Sequence, residues 1–128
     1  MEVHPWMGSK GIGQALQEAS RKDPNVKMTM TTYYLALLGK GAKEAGASTP
    51  EMQQLQLDHL WNIRRMLDAK TFTTAGPFLD KGDLRGIFVI VAKSQEEAKA
   101  IAESDPMVKA GYLAVELHPW WVAREVWP

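Results

Sequence analysis

Two stretches of this 128-residue chain are apolar at every position: Tyr33–Leu38 (YYLALL) and Ile87–Val91 (IFVIV). Both are of strand length and rich in β-branched, aromatic and aliphatic residues. A sheet with helices on one side and water on the other alternates apolar and polar residues along its strands. These two strands do not alternate, so both faces of their sheet need cover.

The remaining elements supply helices for one face. A strand is expected over 28–38, followed by a polar, glycine-bearing loop over 39–50. Ser48 or Thr49 caps the next helix, with Pro50 in its first turn, and the helix runs to about Ala69. A strand over 71–78 stops at Gly76-Pro77, a turn follows, and a third strand spans 86–92. Ser94 to Glu97 form a capping box that opens a helix to about Glu103. Asp105-Pro106 starts one further short turn, and a fourth strand covers 112–121, broken by Pro119. The order β-α-β-β-α-β is the α+β, ferredoxin-like pattern: a four-stranded antiparallel sheet with both helices on one face. This domain spans 28–121. Residues 1–27 form an N-terminal extension with a short helix ending at Asp23-Pro24, and 122–128 are a tail too short to assign.

Two things can cover the second face. The extension helix can fold across it, although its apolar side is thin (Ile12, Leu16, Ala19). A second copy of the chain, packed sheet to sheet as a homodimer, is the expected cover.

Charge and composition narrow the partners. Fifteen basic residues balance fifteen acidic ones, which argues against nucleic-acid binding. There is no cysteine, hence no disulfide, thiolate metal site or cysteine nucleophile. No apolar run approaches the ~20 residues that span a bilayer. A cytoplasmic protein is expected if the chain begins at its natural start, and an exported one if a leader has been removed.

Within LDHLWNIRRM (57–66) a histidine occupies a helix stripe otherwise made of Met52, Leu55, Ile63 and Met66. His59 is either a core histidine satisfied by a carbonyl or hydroxyl, or an acid/base group kept from bulk water. Asp105 is a helix cap by position, yet its second oxygen is free to orient an imidazole. Gly76 and Pro77 end a strand, where a glycine lets a ligand approach the backbone. Tyr33 and Tyr34 point to opposite faces, so only one can face the cleft between sheet and helix, and Tyr34 is the candidate. Arg64, Arg65 and Arg85 are possible anion contacts, with Arg64 the candidate substrate contact. His4, His59 and His118 lack metal-site spacing. GSKGIG (8–13) follows no strand, so it is no nucleotide loop, and no Gly-x-Ser-x-Gly elbow is present.

Seven marks in order resemble the YCII-related domain family: His59-Leu60, Ala75-Gly76-Pro77-Phe78, Gly86-Ile87-Phe88-Val89, Ser94-x-Glu96-Glu97-Ala98, Asp105-Pro106, Gly111 and Glu116-Leu117-His118-Pro119-Trp120. The resemblance implies a dimeric α+β barrel and a His–Asp active-site pair, which falls on His59 and Asp105. It implies no substrate. Enzymes sharing the fold include dehydrochlorinases and muconolactone isomerases. The chain departs from many members at Ala69-Lys70, where they carry a glycine. The expectation is a cofactor-free, metal-free enzyme performing elimination, isomerisation or lyase-type chemistry. The alternative is a non-catalytic module that binds a small ligand.

Overall fold

The computed structural model describes residues 2–44, 48–80 and 82–128. Parts of the expected 39–50 loop and of the turn after the second strand, residues 45–47 and 81, lie outside the described residues. The elements are α1 (Gln14–Lys22), β1 (Met30–Lys40), α2 (Pro50–Asp68), β2 (Phe72–Pro77), β3 (Leu84–Ile90), α3 (Gln95–Glu103), α4 (Pro106–Lys109) and β4 (Leu113–Ala123), with a closing 3-10 turn at Arg124–Val126. One antiparallel sheet runs β2-β3-β1-β4, and after α1 the order is the ferredoxin-like one.

The caps read from sequence form. The Thr49 hydroxyl accepts from the Met52 amide at 3.1 Å, and the Ser94 hydroxyl from the Glu97 amide at 3.1 Å. Helix α2 closes with Lys70 in the left-handed region at φ 61°. The Thr71 amide donates to the Met66 carbonyl at 2.9 Å. This is the backbone a glycine adopts most easily, and here a lysine carries it.

The core lies between the sheet and α2 and α3. Ala36, Leu38, Phe72, Phe88, Ile90, Ala98 and Ala102 form it, and the Phe72 and Phe88 rings stack with centroids 4.5 Å apart. The fourth strand differs from expectation. It does not break at Pro119 but continues to Ala123, with Pro119 opposite Tyr34. β4 is an edge strand paired only with β1, and edge positions whose N–H would face outward tolerate proline.

The second sheet face is covered in part by the chain itself. Tyr33, Thr74 and Val89 face away from the helices, yet all three are buried. The extension runs along β2: the Met7 amide donates to the Pro77 carbonyl at 3.0 Å and the Leu79 amide to the Pro5 carbonyl at 2.8 Å. Trp6 Nε1 donates to the Gly76 carbonyl at 3.0 Å, and the Ser9 and Thr74 hydroxyls lie 2.9 Å apart. A side chain at Gly76 would collide with the Met7 carbonyl oxygen, so glycine here admits the extension's own backbone. The Trp127 ring meets Tyr33 edge-on at 5.7 Å, and the Gly13 amide donates to the Val126 carbonyl at 2.5 Å. Leu35, Leu37 and Ile87 remain half-buried on this face.

His4 tethers the start of the extension. Its Nδ1 lies 2.5 Å from Asp80 Oδ2 and its Nε2 2.7 Å from Glu2 Oε1. Hydrogen bonding to Asp80, then to Glu2, raises the imidazole above its ordinary 6.5. A raised folded value means protonation favours the folded state, so the tether contributes fully below 6.5 and fades as pH rises through the folded value. The difference in urea midpoint between wild type and His4→Ala should follow that course. A difference constant across this range would contradict the tether.

Candidate active site

His59 and Asp105 stand 46 residues apart in sequence, and the packing of α4 against α2 brings them together. Asp105 caps α4 with Oδ2, which accepts from the Met107 amide at 3.0 Å and the Val108 amide at 3.3 Å. Its Oδ1 accepts from His59 Nδ1 at 2.7 Å and from Asn62 Nδ2 at 3.4 Å. Asp105 is 0% exposed, whereas the His59 side chain is 20% exposed. The cap and the imidazole contact therefore use different oxygens of one carboxylate.

The pairing sets the tautomer. A carboxylate surrounded by three other N–H donors is an acceptor at both oxygens, so His59 Nδ1 carries the hydrogen and donates. That leaves Nε2 with its lone pair when the ring is neutral. Among the described residues Nε2 has no hydrogen-bond partner, and it is not one of the buried unpaired atoms.

His59 lines a cavity of about 280 Å³ on the helix-facing side of the sheet. Its walls are mostly apolar, including Leu38, Ile63, Pro77 and Phe88, and Arg85 is its other ionisable side chain. A second hollow of about 520 Å³ adjoins it and shares His59, Arg85 and Leu113. The arrangement suits proton transfer: a base held in one tautomer, oriented by a buried carboxylate, opening onto a space of small-molecule size.

Of the candidates read from sequence, His59, Gly76, Pro77 and Arg85 line the same cavity, and Asp105 backs it through His59. Gly76 contributes backbone there, while the side where its side chain would stand is taken by the extension. Tyr34 faces the helices as expected but packs against the core cluster and does not line the cavity. Arg64 lies along another groove of about 810 Å³ beside Trp61, Arg65 and Pro106. It is exposed there, with Nε 3.9 Å from Asp68.

Asn62 was not a sequence candidate. It is 5% exposed, donates to Asp105, and accepts from Arg65 Nη2 at 2.8 Å. Its one signal is spacing: three residues after His59, it sits beside it on the same helix face. Among the described residues no group of three or more His, Asp or Glu side chains could hold a metal ion, and no helix is long and apolar enough to cross a membrane.

Comparison with known proteins agrees with this architecture. The model of the YCII-related domain family matches residues 34–121, more than half of the chain. No curated protein matches it.

Proposed function

The chain belongs to the YCII-related domain family, and from that membership we propose that it is a small-molecule enzyme whose acid/base group is His59. One observation supports this above the rest: the 2.7 Å contact between His59 Nδ1 and the fully buried Asp105, with Nε2 left open beside a cavity. Nε2 takes a proton from a carbon acid, and the adjacent carboxylate stabilises the imidazolium that forms. In an elimination, the C–H electron pair becomes the new double bond and the leaving group departs with its own pair. The proton then passes from Nε2 to the leaving group or to water. In an isomerisation, Nε2 returns the proton to a different carbon. Asp105 is a positioning residue throughout.

The experiment is an activity screen of the full chain on small lactones and halogenated aromatics, with His59→Ala and Asp105→Asn as controls. Turnover that collapses in both supports the assignment. Turnover unchanged in both removes the pair from the mechanism, and ligand binding without turnover leaves a non-catalytic module.

Pairing of two copies is part of the same proposal. The half-buried Leu35, Leu37 and Ile87, with Trp120 at 40% exposure on the same face, form an apolar strip bordered by His118 and Glu116, which lie opposite Leu35 and Leu37. A second sheet would close over that strip. Light scattering should return the mass of two chains, and the mass of one would end this part of the proposal.

A further inference from the structure

We infer that the cavity takes a small organic carboxylate, held at its charged end by Arg85 with its apolar body beside His59. This rests on the acid/base reading and adds to it the class of substrate.

The backbone presents Arg85 deliberately. Along β3, Gly86 pairs with Leu38 and Leu84 pairs with Gly39, so Arg85 is the extra residue of a bulge. Bulges re-aim side chains, and they recur next to active sites. Strict alternation from Gly86 and Phe88, which face the helices, would send Arg85 to the opposite face. Instead Arg85 lines both hollows that meet at His59, on the helix-facing side.

The guanidinium is also unspent. Among the described residues it makes no ion pair, while the other close pairs involve His4, Lys40, His59, Arg64, Lys99 and His118. No acidic side chain lines the 280 Å³ cavity. In the adjoining hollow Lys40 and Lys43 face a single carboxylate, Glu44, which Lys40 Nζ already holds at 3.2 Å. With Asp105 behind His59 counted, Arg85, Lys40 and Lys43 still outnumber Glu44 and Asp105, so the local excess is cationic although the whole chain is neutral. An arginine fork matches the two oxygens of a carboxylate. Apolar walls and a single guanidinium suit one charge on a small apolar body better than a heavily charged group.

The probes are benzoate and its neutral isostere benzamide, titrated against the full chain by calorimetry and NMR. Benzoate should bind about tenfold or more tightly than benzamide, a gap typical of a charge-assisted contact. Arg85→Gln should abolish the gap while leaving benzamide unchanged, and Arg85→Lys should restore part of it. Equal affinity for the two probes, an unaltered gap in Arg85→Gln, or no saturable benzoate binding would overturn the inference. His59→Ala separates this inference from the acid/base reading, because it should keep the benzoate preference while losing turnover. Lost turnover with no benzoate preference sinks only the substrate class. A benzoate preference with turnover indifferent to His59 upholds the carboxylate site and sinks the acid/base role.

Discussion

Asp105→Ala should destabilise the protein by about 2–3 kcal/mol, through a lost helix cap and buried donors left without an acceptor. The carboxylate is fully buried and receives four donors: His59 Nδ1, Asn62 Nδ2 and the amides of Met107 and Val108. Losing a helix cap alone costs about 1 kcal/mol. A buried donor left without an acceptor costs about 1–3 kcal/mol. These losses overlap, because the imidazole is part-exposed and can turn toward water. Relief of the desolvated charge offsets some of the remainder. Asp105→Asn should lose far less stability, since its amide oxygen can still accept from the α4 amides. Urea unfolding followed by circular dichroism checks both variants. Equal and small losses would mean that Asp105 is not the hub of this network.

The second large effect concerns rate. His59→Ala should lower kcat by about 10²–10⁴-fold, the usual contribution of a positioned acid/base group. KM should change little, because in the proposed mechanism Nε2 transfers a proton rather than anchoring substrate. Asp105→Asn should approach the same loss while remaining folded. The reason is geometric: if the amide oxygen stays with the cap, its NH₂ group faces Nδ1. Nδ1 must then accept, the hydrogen moves to Nε2, and the base is lost. A variant that is stable, binds ligand and does not turn over would separate orientation from folding. Full activity in Asp105→Asn would show that the tautomer is irrelevant.

Much of the fold was legible because local chemistry determined it. Thr49, Ser94 and Asp105 are caps whose partners lie two or three residues away, and the apolar strands declared a sheet in need of two covers. His59 was legible as an anomaly on an apolar stripe. Its pairing with Asp105 came from the family resemblance, since no spacing argument connects residues so far apart. Arg85 was named only as one of three possible anion contacts, because its placement beside His59 was hidden. Its orientation depends on a register shift between β1 and β3, a property of two strands together that neither reveals alone. Gly76 was read as making room for a ligand, and the approaching backbone is that of Met7. Pro119 was read as a break within the fourth strand because edge position follows from topology, which the single segment does not encode. Tyr34 and Arg64 were plausible by residue type, but packing directs one into the core and the other to a different groove.

In the proposed site Asp105 holds His59 with hydrogen on Nδ1 and a lone pair on Nε2. The most direct measurement is nitrogen NMR of ¹⁵N-labelled histidine side chains in the full chain, at a pH where the His59 ring is neutral. His59 should show a protonated Nδ1 and an unprotonated Nε2, with the pattern reversed in Asp105→Asn. A hydrogen on Nε2 in the wild type, or a tautomer mixture that Asp105→Asn leaves unchanged, would contradict this role for Asp105.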